Sequence, residues 1–216
     1  MKKATSIGMF AAIAFAIGMT GINLSEGIIT LQNTPSATSE GASILGHIEL
    51  IHTDSEGKIL SYQQTDNAIV SEGRACTAML LFGANSECNA ASATGLGTFR
   101  AIAVGNGSLL AADTTANALN SEITGDGLER VLGSLGTYTA TSGTGTDATQ
   151  RITNQFTYTG SQAGNVISQA GLFNSTTVGT DIAFALKNFP SNVTMNNGDQ
   201  LTVNWDITIS GSDAVS

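Results

Sequence analysis

The side chains that could carry catalysis are few, and their spacing does not bring them together. His47 and His52 are the only histidines, and both lie in the β-prone run at residues 44–53. Because strand side chains alternate between faces, two histidines five residues apart point to opposite sides and do not bind one metal ion. The chain also lacks the Gly-x-Ser-x-Gly motif of many serine hydrolases. Ordinary strand positions are therefore the favoured interpretation, and a catalytic histidine is the alternative.

Three aspartates and one glycine-rich turn are the remaining candidates for substrate chemistry. Asp181, Asp199 and Asp206 could supply the paired carboxylates of a glycosidase, although each also fits a solvated turn or strand face. The run VGNGS at residues 104–108 follows a predicted strand, where backbone amides can bind phosphate, but it has no Lys and lacks the full glycine pattern. We expect no catalytic residue, no metal site and no cofactor.

The two cysteines have a simpler interpretation. Cys76 and Cys88 form an even pair, and in an exported chain such a pair most simply makes a disulfide that closes a short loop. Two separate free thiols are the alternative. A metal site is disfavoured because the spacing is not Cys-x-x-Cys and no histidine lies nearby. The sequence therefore predicts a disulfide.

Four Asn-x-Ser/Thr sequons are candidate sites of N-glycosylation. Asn23 lies beside the N-terminal apolar segment, whereas Asn106, Asn174 and Asn192 fall in predicted turns. Turns of an exported protein are accessible to glycosylation. We therefore predict glycans at these three asparagines, although a chain rich in Asn, Ser and Thr also produces sequons by chance.

The N-terminal segment predicts export. Met-Lys-Lys is followed by the uncharged residues 4–25, whose apolar centre spans residues 7–17. A basic, apolar and then small-residue order is typical of a secretory signal. A retained membrane anchor is the alternative. It is disfavoured because the apolar centre is shorter than the about 20 residues that a membrane-spanning helix needs. We expect a leader helix over residues 1–25, contact with the membrane only during export, and a secreted protein at the extracellular cell surface.

Composition excludes one class of partner and favours β structure. The chain has 8 basic and 17 acidic residues and a formal net charge of −9. Because binding to phosphates requires clustered Lys and Arg, nucleic acid is not an expected partner. Only 12% of residues are charged, and Thr, Ser, Asn and Gly carry most of the polar character. Such residues suit pleated strands and turns.

Strand patterns dominate residues 44–216. In QLTVNWDITI at residues 200–209, apolar and polar residues alternate, which predicts one buried face and one wet face. About eight strands are expected, and one helix is predicted over residues 67–83, with Asn67 as its N-cap and Gly83 as its stop. The fold class is therefore mainly β, an antiparallel, jelly-roll-like β-sandwich. The expected strands are 44–53, 58–65, 98–105, 128–140, 148–159, 165–173, 180–189 and 200–209.

A short β-prone tail precedes this domain. Residues 26–43 contain GIITLQ at 27–32, followed by a small and polar linker that contains Pro35. An extended segment of this kind can add a strand to the sheet of another subunit. The alternatives are that it folds back onto its own sheet or is removed with the leader. The residues expected to alternate in such an added strand are Ile28, Ile29, Thr30 and Leu31.

From about residue 67 onward, the chain resembles structural β modules of the tail-fibre type in tailed bacteriophages. The resemblance lies in the segments AIVSEGRACTAMLLFG, FRAIAVGNGS, ISQAGLFNSTTVGTDIAFALKNF and NNGDQLTVNWDITIS. It covers about two thirds of the chain and implies a non-catalytic β-sandwich that serves as a building block. The leader and the cysteine pair depart from that pattern and favour an exported surface protein. The leader, with FAIGMTG, is also similar to those of secreted archaeal proteins.

These features predict a structural subunit of an extracellular filament or pilus-like assembly. Its partners would be other copies of the same chain, joined by N-terminal strand addition, with glycans as a second class of partner. A virion or tail-fibre component and a secreted adhesin or glycan-binding module are the alternatives, and a secreted hydrolase is the enzymatic alternative. No enzymatic activity is expected.

Overall fold

Antiparallel strands make up most of the described chain, and one helix accompanies them. The computed structural model describes residues 42–82, 98–109, 116–140, 147–161, 165–179 and 182–211. All of them belong to one compact unit, residues 40–215. The mainly β class with one helix is confirmed for this part of the chain. The predicted leader at residues 1–25 and the tail to residue 41 lie outside it.

The elements follow one another with a single helix after the first hairpin. The helix is α1 (Ser71–Phe82). The strands are β1 (Ala42–Thr53), β2 (Ile59–Ile69), β3 (Ala101–Gly105), β4 (Val131–Leu132), β5 (Ser134–Leu135), β6 (Thr139–Ala140), β7 (Ala148–Thr157), β8 (Asn165–Phe173), β9 (Ala183–Met195) and β10 (Gln200–Gly211).

Two groups of strands share β2. In the first group, β1 lies between β10 and β2, and β7 lies outside β10. The short strands β5 and β6 pair with the outer edge of β7. In the second group the order is β4, β3, β8 and β9, with every pair antiparallel. The groups connect where Ala68 and Ile69 of β2 pair with Leu186 and Ala185 of β9.

The core follows the predicted alternation. Leu201, Val203 and Trp205 of β10 are fully buried, whereas Ile209 near the end of the strand is half exposed. The same buried cluster takes side chains from β1, β3, β7, β8 and β9. On β7, Ile152 and Phe156 face this cluster, while the neighbouring polar residues point away, as predicted. Burial of these large apolar side chains is the main favourable contribution to folding.

The helix begins later than the sequence predicts. Asn67 is not an N-cap, because it lies in β2 opposite Gly46 and accepts a hydrogen bond from the Trp205 indole at 3.0 Å. β2 continues to Ile69, and the helix begins at Ser71. Residues 67–69 therefore belong to β2, and the pattern that predicted a helix from residue 67 begins in the strand that precedes the helix.

The predicted strand at residues 128–140 is divided into three short ones. Gly133 and Gly136 interrupt it, and their amides donate to Arg100 O and Arg151 O. Consequently β4 pairs with β3, whereas β5 and β6 pair with β7. Residues 134–140 therefore pair antiparallel with residues 148–153 through β5, β6 and β7. The turn that joins β6 to β7 lies outside the described residues.

Two other element boundaries differ from expectation. The predicted strand at 98–105 begins only at Ala101, and all five residues of β3 are buried. β9 runs past the predicted end to Met195, and Pro190 lies in the irregular stretch where its register with β8 shifts. Proline is tolerated there because regular pairing is interrupted.

Candidate functional site

A polar network covers the outer face of β1, β2, β7 and β10. Asn204 Nδ2 donates to Glu49 Oε2 at 2.7 Å, and Tyr62 Oη donates to Glu49 Oε1 at 2.8 Å. Thr153 Oγ1 donates to Asn204 Oδ1 at 2.8 Å. Glu49, Asn204 and Thr153 lie in one row because the register places them opposite one another, whereas Tyr62 lies opposite Ile51 and reaches Glu49 diagonally. Cross-strand partners of this kind stabilise the sheet.

The next row contains a shared arginine. Arg151 Nε and Nη2 donate to the two oxygens of Asp206 at 2.8 and 2.7 Å. Arg151 Nη1 lies 3.5 Å from Glu49 Oε2. The hydrogen bond to Asp206 raises the pKa of Arg151. The bond from Asn204, then that from Tyr62, lowers the pKa of Glu49, while the bond to Glu49 raises the pKa of Tyr62.

The hydrogen bonds of this network run between its own members. The hydrogen bonds from Asn204 and Tyr62 lower the pKa of Glu49, which does not suit a general acid, whereas Asp206, a glycosidase candidate, accepts two hydrogen bonds from Arg151. The carboxylate of Asp199, another glycosidase candidate, accepts the amide of Asn196 at 2.8 Å and so fixes the turn before β10. Asp181, the third candidate, lies outside the described residues.

The two histidines occupy opposite faces of β1. His47 lies on the outer face, where Nδ1 is 3.0 Å from Asp66 Oδ1. His52 is buried, and its Nε2 is 3.2 Å from Asp199 Oδ2. Nowhere in the described ranges do three His, Cys, Asp or Glu side chains come together as metal ligands. No helix in those ranges has the length and apolar character needed to cross a membrane.

The glycine-rich turn after β3 uses its amides within the fold. Asn106 N donates to Ser121 O, and Gly107 N donates to Asn120 O, both at 3.1 Å. Because these amides are occupied, the turn offers a phosphate fewer donors than the sequence suggested.

Residues 120–123, which we call the crossing segment, cover the edge of β3. Ile123 N donates to Val104 O at 2.9 Å, and Glu122 forms a bridge with Gly105. Arg130 holds this segment in place, since its Nε and Nη2 donate to the Glu122 carboxylate at 2.9 and 2.6 Å. Both side chains are almost completely buried. The Arg130 guanidinium also lies 3.7 Å from the centroid of the Phe173 ring.

The outer edge of β7 is covered as well. Ser134 and Leu135 of β5 pair with Thr153 and Ile152. Thr139 and Ala140 of β6 pair with the start of the same strand. In addition, the Gln150 side chain donates to Gly136 O at 2.9 Å. Short strands that occupy an edge in this way prevent it from pairing with another chain.

The outer edge of β2 differs from these two edges. Residues 59–66 pair with β1 on one side, and no other described strand pairs with them on the other side. The register that joins Ala68 to Leu186 would place Gln63 opposite Ser191, but there only the Gln63 side chain bridges the gap, accepting Ser191 N at 3.0 Å. We call residues 59–66 the open edge.

The open edge carries exposed apolar side chains and few protective residues. Ile59, Leu60 and Tyr62 are 62%, 47% and 52% exposed. The strand contains no Lys and no Pro, and Asp66 is its only charged residue. Exposed strand edges are normally protected by such residues or by a covering segment. The composition of β2 therefore fits an edge that receives a partner.

The predicted glycosylation sites have different environments. Asn106 and Asn192 are exposed and line one open cleft of about 550 Å³ together with Ser108, Ser168 and Asn188. Asn174, in contrast, is 1% exposed, and its Oδ1 accepts Ile182 N at 2.8 Å. The folded chain has no room for a glycan at Asn174, so that prediction is not compatible with this fold.

The remaining predicted residues are only partly described. Cys76 is buried on α1, whereas Cys88 lies outside the described residues, so their pairing stays a prediction. The strand-addition residues Ile28, Ile29, Thr30 and Leu31 also lie outside them. Sequence reasoning missed the open edge, although the absence of Lys and Pro from β2 was a visible signal. It also missed the Arg130 and Glu122 pair, for which spacing gave no signal.

Comparisons with known proteins give no relative for this chain. A scan against protein-family models finds no matching model, a search of curated proteins finds no match, and a search of solved structures finds none. The proposed function therefore rests on the geometry of the described residues.

Proposed function

We propose that this chain is a non-enzymatic structural subunit of an extracellular filament that polymerises by strand addition. Residues 27–32 of one subunit would extend the sheet of its neighbour. Since the donated strand and the receiving edge are different surfaces, each added subunit exposes a new donor or a new acceptor. Assembly of this kind leads to an open filament rather than a closed dimer.

The open edge of β2 is the observation that supports this proposal. An added strand gains backbone hydrogen bonds from an edge that has no partner, and side-chain contacts give it specificity. The edges of β3 and β7 do not offer this, because segments of the same chain already cover them. The polar network on the adjacent face supports a structural role, since its charged groups bind one another.

A sandwich arrangement of the two strand groups belongs to the same proposal. It is supported by the larger buried cluster, which takes side chains from both groups. β2 takes part in each group, because its first part pairs with β1 and its last two residues pair with β9. A subunit built in this way would be rigid between its receiving edge and the start of β1, where the linker ends.

Electron microscopy of the purified full chain tests the proposed function. We expect fibres of uniform width. The double variant Ile29→Asp and Leu31→Asp should form none, because an added strand would then place two carboxylates against an apolar edge. The matched control, Ser36→Asp with Thr38→Asp in the linker, adds the same charge and should still form fibres. Persistent monomers of the unmodified chain would contradict the proposal.

A glycan-binding module is the second candidate, and one cleft favours it. The cleft beside β8 and β9 is lined by amide and hydroxyl side chains and by Phe189, with no charged residue. Neutral sugars are recognised by polar groups of this kind. Binding of the full chain to neutral oligosaccharides, lost on Asn192→Ala together with Ser108→Ala, would support this candidate. Glycosylation at Asn106 or Asn192 would instead occupy the cleft.

A further inference from the structure

We propose that the open edge accepts residues 27–32 of a second copy as an antiparallel strand, with Leu31 beside Tyr62. This inference rests on the proposed function and specifies its partner, direction and register. The partner is chemically defined: a six-residue β-prone segment with one apolar face and no charge. No other uncharged segment of this kind lies N-terminal to the domain outside the leader.

Alternation of side chains selects the register. On β2, Tyr62 and Gln64 belong to the outer face, since Gln64 lies opposite Glu49 of the polar network. Antiparallel pairing of Leu31 with Tyr62 also pairs Ile29 with Gln64, which adds two apolar side chains to the exposed face. Thr30 and Gln32 then lie opposite Gln63 and Ser61. A slip of one residue would exchange the two faces and move Leu31 away from Tyr62.

The length of the linker selects the donor. Gln32 is ten residues before Ala42, so it lies at most about 36 Å from the start of β1. In the antiparallel register, Gln32 would lie opposite Ser61, which itself lies opposite His52. His52 is ten residues along β1, or about 34 Å, and the added strand is about 10 Å to the side.

A chain could therefore reach its own open edge in this direction only with a completely extended linker. A flexible linker of ten residues spans about 16 to 19 Å on average. The parallel direction is less demanding, because Gln32 would then lie near Asp66, opposite His47 and about 20 Å from Ala42. The linker is thus long enough for a chain to add its own residues 27–32 in the parallel direction. In the antiparallel direction, where the hydrogen bonds are better aligned, the strand comes from a neighbouring subunit.

Disulfide trapping between two variants tests direction and donor together. One copy carries Gly27→Cys or Gln32→Cys, and the other carries Ser61→Cys or Asp66→Cys. Directly opposite residues of an antiparallel pair have Cα atoms about 4.5 to 5.5 Å apart, which suits a disulfide. Mixed monomers are allowed to assemble under mild oxidation, and cross-linked peptides are identified by mass spectrometry.

Cross-links between positions 27 and 66 and between 32 and 61 are expected, and both disappear in the Ile29→Asp and Leu31→Asp background. Cross-links between 27 and 61 and between 32 and 66 would overturn the antiparallel direction. When both cysteines are placed in one chain, cross-links found only within that chain would contradict the proposal that a second copy donates the strand. Fibres without any cross-link to β2 would overturn the open edge as acceptor and leave the proposed function standing. Absence of fibres from the unmodified chain would contradict the proposed function itself.

Discussion

The outer edges of β7 and β2 differ, although both strands flank the same central pair, β10 and β1. Each pairs inward along almost its whole length, β7 with β10 and β2 with β1. β7 is covered outward by two short strands, whereas residues 59–66 of β2 receive no outward strand from the described chain. Sheets normally protect both edges. An edge left open on one side only is what the proposed filament requires for growth in one direction.

The edges of β3 and β7 are covered through different kinds of contact. The β3 edge is held by a buried ion pair, Arg130 with Glu122, which ties the crossing segment to the core. The β7 edge is held by backbone pairing with β5 and β6 and by the Gln150 side chain, which donates to Gly136 O. Disruption of a cover should cost folding free energy, whereas changes at the open edge should cost almost none. The following predictions test that contrast, in order of their expected effect on stability.

Arg130→Ala should have the largest effect. It removes the partner of the buried Glu122 carboxylate and should lower the free energy of unfolding by about 3 to 5 kcal/mol. Urea denaturation of the variant measures this change. The control is Arg151→Ala, whose side chain is 45% exposed and whose loss should cost about 1 kcal/mol or less. Equal costs for the two variants would show that the buried pair does not hold the cover.

Gly127→Ala should have the second largest effect. Gly127 has a φ of +79°, and a Cβ there would overlap the carbonyl oxygen of Thr157 at the end of β7. We expect a loss of about 1 to 3 kcal/mol, from strain at a left-handed residue and displacement of the covering turn. The control is Gly125→Ala, where a Cβ meets nothing within 4 Å. Thermal unfolding of both variants should shift only for Gly127.

Glu49→Gln should have a smaller and pH-dependent effect. Because hydrogen bonds lower the pKa of Glu49 in the folded chain, its contribution is present above the ordinary value of 4.5 and is lost as pH falls through the folded pKa. We expect the unmodified chain to be more stable than the variant by about 1 kcal/mol at pH 7. This difference should vanish at strongly acidic pH. A constant difference across that range would contradict the assignment.

Tyr62→Lys should change stability least and still distinguish the two edges. Tyr62 and Leu135 are similarly exposed, at 52% and 55%, on β2 and β5. Exposed substitutions of this kind change the free energy of unfolding by about 0.5 kcal/mol or less. Tyr62→Lys should nevertheless prevent fibre formation, whereas Leu135→Lys should not.

Tyr62→Phe separates the ring from its hydroxyl in that comparison. It loses the hydrogen bond to Glu49 but keeps the apolar surface beside the proposed Leu31 position. Fibres of Tyr62→Phe are therefore expected. Their loss would assign the effect to the Glu49 hydrogen bond instead of the apolar contact.

Local alternation predicted the strands well and their ends poorly. The pattern of QLTVNWDITI correctly indicated a strand with Trp205 buried, because a period of two is directly visible in the sequence. The start of α1 was predicted too early, because Asn67 suits a helix cap locally but is bound by Trp205 from a distant strand. Tertiary contacts of this kind are not encoded in local spacing.

The candidate site was less predictable than the fold. An open edge is defined by which strands do not meet, and that depends on the positions of all strands in the sheet. The partial pairing of β2 with β9 at Ala68 and Ile69, followed by separation at Gln63, has no local sequence signature. Burial of Asn174 was likewise hidden, because its sequon is the same as those of the exposed asparagines.

The central position of β1 has a mechanical consequence. Its first residue, Ala42, follows the linker directly, and the strand is bound along its length by β2 on one side and β10 on the other. In the proposed filament, a pull on the linker would enter at Ala42 and leave through the neighbour's strand beside β2. The β1 and β2 ladder would then be loaded in shear, so that its hydrogen bonds resist together instead of opening one after another.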